Sequence, residues 1–202
     1  MSKALVVFGS IFGLGIFLVV VLAMYFVSSY NSMVTQNESI NQSWAQVENQ
    51  YQRRADLIPN LVSTVKGYAN FEKQTLTDVV EARAKVGQMT LTKEMLNDPA
   101  SLQKFQSVQG ELSSALSRLM VVVEKYPDLK ANQNFLQLQA QLEGTENRIS
   151  VERRKFNIDV QSYNTTIKRF PKNILAGMFG FKDRPYFEAD KGTEKAPKVE
   201  FN

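Results

Sequence analysis

Apolar and polar positions divide the chain into two regimes. From Ala4 to Val27 the sequence ALVVFGSIFGLGIFLVVVLAMYFV holds 24 residues without one charge. At ~1.5 Å per residue this is about 36 Å of helix, enough to cross a ~30 Å hydrocarbon core with some tilt. After the short flank 1–3, residues 4–27 therefore predict a transmembrane anchor. A cleaved signal peptide fits less well, because its charged flank would be Lys3 alone, its apolar run is too long and no A-x-A site follows. Lys3 precedes the span and no Lys or Arg follows until Arg53, so the positive-inside rule favours a cytoplasmic N-terminus with the bulk of the chain outside the cytoplasm. Gly9 and Gly13 form a G-x-x-x-G spacing that would let two such helices approach closely, although glycine is common enough in membrane helices to put them there by chance.

Beyond the anchor the apolar period becomes that of amphipathic helices. Ile40, Trp44, Val47, Tyr51, Ala55, Ile58, Val62, Val65 and Ala69 recur every three or four residues, which lines them along one helix face. Gly67 weakens that helix, and Asn70 can cap a second one carrying Leu76, Val79, Val80, Ala84 and Val86; an unbroken helix through 67–70 is the alternative. Asp98 followed by Pro99 is a helix start, with Phe105, Val108, Leu112, Leu116, Leu119, Val123 and Tyr126 as its apolar face before Pro127. A last helix runs from near Asn132 through Phe135, Leu138, Leu142, Ile149, Phe156, Val160, Tyr163 and Ile167 to Phe170, and Pro171 ends it.

No stretch alternates apolar and polar residues as a half-buried strand would. The fold class is therefore all-α: a transmembrane helix followed over 28–181 by an up-and-down antiparallel bundle, four helices being favoured over three long ones. With four helices the chain returns to the membrane. Ile174, Leu175, Met178 and Phe179 would then form an apolar face able to lie on the bilayer interface, or else would cap the bundle core. The charged, Pro- and Gly-containing segment 182–202 reads as a mobile tail.

Composition removes much chemistry. The chain has 202 residues, no Cys and no His, which excludes disulfides, His- or Cys-ligated metals, Cys or Ser-His nucleophiles and imidazole acid–base catalysis. The charges, 24 basic against 20 acidic, are interspersed and offer no footprint for nucleic acid. A di-iron site of the bundle type needs Glu-x-x-His pairs and cannot be completed without histidine. No cofactor, metal, catalytic residue or small-molecule substrate is expected.

The unusual feature is YQRRADLIPN, residues 51–60, which places Arg53, Arg54, Asp56, Pro59 and Asn60 within a helical stripe. Pro59 has no N–H and so frees the carbonyl of Ala55, which Asn60 or a neighbouring Arg would satisfy. In an antiparallel bundle Arg53 and Arg54 would pass Glu146 or Glu152 of the last helix, and a guanidinium can bind a carboxylate bidentately to set register. Solvated arginines are the plainer alternative; Arg54, beside the Tyr51 to Ile58 stripe, is the better candidate for burial.

Three blocks, WAQVENQYQRRADLIPNLVSTVKGYANFEKQTL, LSRLMVVVEKYPDLKANQNFLQLQAQLEGTENRISVERRKFN and YNTTIKRFPKNILAGMFGF, resemble the LemA family over roughly residues 28–190. The resemblance implies a bacterial, membrane-anchored helical bundle with no established enzymatic activity. Phe71 departs from the pattern, standing where a polar residue, often His, is expected. Two function classes follow. One is a scaffold or adaptor of the cell envelope that binds itself or a membrane-protein partner; the other is a single-pass sensor or regulatory subunit of a membrane complex such as a membrane-protease system.

Overall fold

A computed structural model describes residues 3–68, 72–89 and 93–188. These form six α-helices and one 3₁₀ turn, with no strand among the described residues: α1 Lys3–Lys66, α2 Lys73–Gly87, the 3₁₀ turn Lys93–Asn97, α3 Pro99–Val123, α4 Pro127–Lys130, α5 Gln133–Lys168 and α6 Lys172–Phe179. The fold is all-α. The apolar segment and the first bundle helix are one continuous 64-residue helix. Every described side chain from Val7 to Ser28 is exposed, and Ser29 is the first buried one. A long exposed apolar rod is compatible with a membrane location, since water would disfavour that surface.

Past Ser29, α1 packs along most of its length against α5, which runs antiparallel to it. Tyr68, just beyond α1, receives a hydrogen bond from Asn132 at the start of α5 (3.1 Å). Tyr30 meets Phe179 of α6, beyond the end of α5, with ring centroids 4.9 Å apart. α2 returns antiparallel to α1 and α3 runs back parallel to it, so α1, the shorter α2, α3 and α5 form a four-helix bundle in up-down-up-down order, and α6 returns to the apolar end.

Most of the expected stripe positions are buried: Ile40, Trp44, Val47, Tyr51, Ile58, Val62 and Val65 on α1, and Phe135, Leu142, Ile149, Phe156, Val160, Tyr163 and Ile167 on α5. On α2 the face differs. Thr75, Leu76, Val79 and Ala82 are buried, whereas Val80 and Ala84 are exposed; a chain of i+4 steps advances ~400° per ~360° turn and drifts off a straight contact. α1 ends at Lys66 and α2 starts at Lys73, so the helix does not continue through this region. Ala69, Asn70 and Phe71 lie outside the described residues.

The caps follow the sequence. Asn132 Oδ1 accepts from Phe135 N (3.0 Å) at the head of α5. Asp98 accepts from Ser101 N (3.0 Å) and Ala100 N (3.3 Å) and from the Ser101 hydroxyl, and the Ser101 hydrogen bonds hold its carboxyl below the usual 3.8. Because the folded value lies below the unfolded one, this cap's stabilisation is present above about pH 4. It is lost as the pH falls through the folded value. Asp98→Ala is expected to remove this part of the acid sensitivity, read as a smaller change in thermal midpoint on acidification below about pH 4.

The largest departure is at the C-terminal side. Residues 182–188, expected within a mobile tail, run as an extended strap against α5 and α3, with Phe187 buried. Residues 189–202 lie outside the described residues.

Candidate functional site: a polar layer and a strapped groove

The core is not one continuous apolar body. One cluster, from Met33 to Tyr51 on α1, includes Phe105 of α3 and Ile149 to Ile167 of α5. The other includes Ile58 to Val65, Leu112 to Val123 and Phe135 with Leu142. Between them lies a layer of buried polar residues: Arg54 of α1, Gln109 of α3 and Thr145 of α5, at 1%, 4% and 0% exposure. Each sits in phase with the apolar stripe of its own helix, so the helices bring all three to one level.

Arg54 organises this layer. Its Nη1 donates to Glu146 Oε2 (2.7 Å) and to Ser113 Oγ (2.7 Å), and its Nη2 donates to both oxygens of Gln109, side chain and backbone. The guanidinium carbon lies 5.2 Å from the Tyr51 ring centroid. Buried Nε has no hydrogen-bond partner. Thr145 satisfies its own hydroxyl by donating to Gln141 O (2.7 Å). Only the planar, multi-donor guanidinium can tie three helices at one level in this way. The Glu146 side chain is half-exposed, so water carries part of the desolvation cost of the pair.

The remaining candidates divide. Arg53 is exposed. Glu152 pairs with Lys155 at 2.8 Å. Asp56 accepts from Gln52 Nε2 at 2.9 Å, and the Asn60 backbone carbonyl accepts from Thr64 Oγ1 at 2.9 Å. α1 continues through Pro59. The Ala55 carbonyl that Pro59 frees accepts from Arg83 Nε of α2 at 3.0 Å, so a neighbouring helix answers the missing N–H. Arg83→Ala is expected to cost about 1 kcal/mol. In a Pro59→Ala background, where the helix can supply its own donor, that cost should nearly vanish; a double-mutant cycle of unfolding free energies in detergent measures it. Gly9 and Gly13 lie on the exposed rod with open space around them. Leu175 is buried, while Ile174, Met178 and Phe179 are exposed.

What sequence reasoning missed is the way α5 and α3 hold the strap. Three side-chain amides each grip the main chain of one strap residue through both groups. Asn164 donates to Arg184 O (2.8 Å) and accepts from Arg184 N (2.9 Å). Asn157 does the same for Phe187 (2.9 and 2.9 Å), and Gln106 of α3 for Glu188 (3.1 and 3.5 Å). The spacing is geometric: seven residues of helix rise ~10.5 Å, and three residues of extended chain span ~10 Å. Phe187 stacks on Trp44 (5.9 Å, 18°) and meets Phe156 edge-on (5.2 Å), under the Arg153 guanidinium (4.8 Å). Arg184 reaches Asn37 of α1 (2.7 Å) and Asn97 before α3.

Among the described residues, a cleft of about 680 Å³ lies between α3 and α5, lined by Lys104, Ser107, Gly110, Ser113, Ser114 and Arg153, with Arg54, Glu146 and Glu188 also on its wall. Small residues on α3 leave the room, and the lining mixes donors with acceptors. Among the described residues no three Asp or Glu side chains gather as a metal site would require.

Fold and site thus define a helical bundle built on a long apolar N-terminal helix, with a polar layer at mid-height and a main-chain-binding groove beside it. The family model of the LemA family matches residues 43–201, and the chain belongs to that family. Among named relatives, magnetosome protein MamQ 2 of Paramagnetospirillum magneticum is 29% identical over 79% of this chain and 64% of its own length. Magnetosome protein MamQ of Magnetospirillum gryphiswaldense is 28% identical over 78% of this chain and 64% of its own. Protein LemA of Metamycoplasma hominis is 25% identical over 82% and 72%. The chain thus spans about 64% of the length of the magnetosome relatives.

Proposed function

We propose that this protein is a non-enzymatic, membrane-anchored adaptor of the bacterial cell envelope, and that the α3/α5 groove is where it engages an extended segment of another polypeptide. The observation that carries the reading is the set of paired main-chain hydrogen bonds from Asn157, Asn164 and Gln106. Side-chain amides that satisfy both backbone groups of an extended chain bind without regard to its sequence, and pockets such as the one filled by Phe187 add selectivity. The cleft that the described residues form beside Glu188 has a polar wall of the same kind and room for an extended segment.

In this reading the apolar part of α1 crosses the inner membrane, with Lys3 on the cytoplasmic side and the bundle outside the cytoplasm. Anchoring concentrates the groove in two dimensions, so that individually weak contacts become productive. The occupant is a second copy of the chain or a membrane-protein partner; Gly9 and Gly13 would assist self-association within the bilayer. The same domain occurs in relatives named for the magnetosome and in one named only for the family, which suits a general adaptor better than a dedicated reaction.

A second reading, a regulatory subunit of a membrane complex, is favoured by one feature: α1 joins the apolar rod to the Arg54 layer without interruption, so a change at the groove could reach the bilayer. In-cell cross-linking of the full-length chain with mass spectrometry separates the two. The adaptor predicts intermolecular links through Lys104, to itself or to a constant partner. A chain that stays monomeric in detergent at all concentrations and yields intramolecular links alone would overturn it. Links that appear only with one membrane complex, and that change with its activity, would favour the regulatory reading.

A further inference from the structure

We propose that α6 is a lipid-contacting helix, lying in the headgroup layer of the membrane that the apolar part of α1 enters and reading negatively charged lipid there. The inference rests on the anchoring of α1 and adds a second, peripheral attachment point that fixes the tilt of the bundle.

α6 has two apolar faces. Leu175 and Ala176 point inward and join the cluster that contains Met33. Ile174 and Met178, four residues apart, point outward, Phe179 is half-exposed where it meets Tyr30, and Phe170 just before the helix is 81% exposed. A bundle end facing water does not ordinarily carry so much clustered apolar surface, whereas an interfacial helix requires it.

Its height along α1 supplies the occupant. Tyr30 contacts Phe179 (4.9 Å) and Phe181 (5.8 Å), and lies three residues, ~4.5 Å of helix, beyond Val27. The polar run Ser28, Ser29, Tyr30, Asn31, Ser32 marks the end of the apolar segment at that level. If residues 4–27 span the hydrocarbon, α6 is held at headgroup depth, where aromatic side chains are favoured. The charge agrees: Arg169 and Lys182, both exposed, lie three residues before and after α6, Lys172 begins it, and the neighbouring Asp183 is taken by Lys168 at 2.6 Å. Juxtamembrane cations of this kind attract anionic lipid.

The natural absence of cysteine permits a clean test. Single substitutions Met178→Cys, Leu18→Cys and Val151→Cys, all at exposed positions, are labelled with an environment-sensitive fluorophore in the full-length protein. Each is reconstituted into vesicles of phosphatidylcholine alone or with one quarter phosphatidylglycerol, containing nitroxide-labelled lipid. The proposal expects headgroup-depth quenching at residue 178 to exceed that at residue 151 several-fold, to increase with phosphatidylglycerol, and to lose that increase in an Arg169→Gln, Lys172→Gln background. Quenching at residue 18 with water-like behaviour at residue 178 would overturn the lipid contact and leave the anchor intact. Failure of quenching at both would overturn the anchor as well. Equal quenching at 178 in both lipid mixtures would overturn the charge reading.

Discussion

Arg54→Ala is expected to destabilise the bundle by about 3 kcal/mol, read as a shift of the helical unfolding transition in detergent. The substitution removes the donor set that joins Glu146, Ser113 and Gln109. It leaves Gln109, 4% exposed, without its partner, and an unsatisfied buried polar group alone costs about 1–3 kcal/mol. Glu146→Ala removes a half-exposed carboxylate and should cost about 1–2 kcal/mol, because water already screens that end of the pair. The double variant should fall short of the sum by about 1 kcal/mol, since each change breaks the same contact. Arg54→Lys should behave nearly as Arg54→Ala, because a point charge cannot reach three acceptors on two helices. Additive effects would show that Arg54 and Glu146 are not coupled, and full rescue by lysine would show that the forked guanidinium is not what joins the layer.

Phe187→Ala is expected to release the strap at a cost of about 3 kcal/mol, the usual size for deleting a buried Phe. This loss should be local, since Phe187 ties residues 182–188 to helices that also pack on one another. The chain carries a single tryptophan, Trp44, on which Phe187 stacks, so its emission should shift to the red as water reaches the indole. Amide exchange at Arg184, Phe187 and Glu188 should accelerate with little change in the core of α5. Asn157→Ala with Asn164→Ala should loosen the same residues while leaving Phe187 to fill its pocket, giving faster exchange with a smaller spectral shift. Cooperative unfolding of α5 in either variant would mean that the strap is part of the core and not a separable occupant.

The sequence made the apolar architecture legible because most core positions on α1, α3 and α5 are aliphatic or aromatic and recur at helical spacing. Arg54 stood out for the same reason: it lies in phase beside Tyr51 and Ile58, where a charge is unusual. Gln109 and Thr145 were passed over, since a polar residue inside a stripe reads as a gap. The signal was there in their phase, Gln109 four residues after Phe105 and three before Leu112. The α2 face was misjudged at Val80 and Ala84 because a short helix tolerates two overlapping apolar lines, and only contact with α1 and α3 selects one. The strap was hidden for a different reason. Its composition, KDRPYFE, is that of a solvated segment, and it is held through its main chain by Asn157, Asn164 and Gln106. Backbone hydrogen bonds carry no compositional mark. The aromatic pair Tyr186 and Phe187 in a charged stretch, with two asparagines seven residues apart on one helix upstream, was the available hint.

The central claim is that the α3/α5 groove receives an extended polypeptide, and a photo-cross-linking residue placed in that groove tests it most directly. Incorporated in the cell at Ser107, inside the cleft, and separately at Val121, an exposed position on α3 outside it, the probe should give a discrete adduct from residue 107 and none from residue 121. Digestion should map that adduct to one extended segment, of a second copy or of a membrane partner, and Phe187→Ala should change its yield. Equal or absent adducts at both positions would contradict the claim and leave the strap as a purely structural end to the fold.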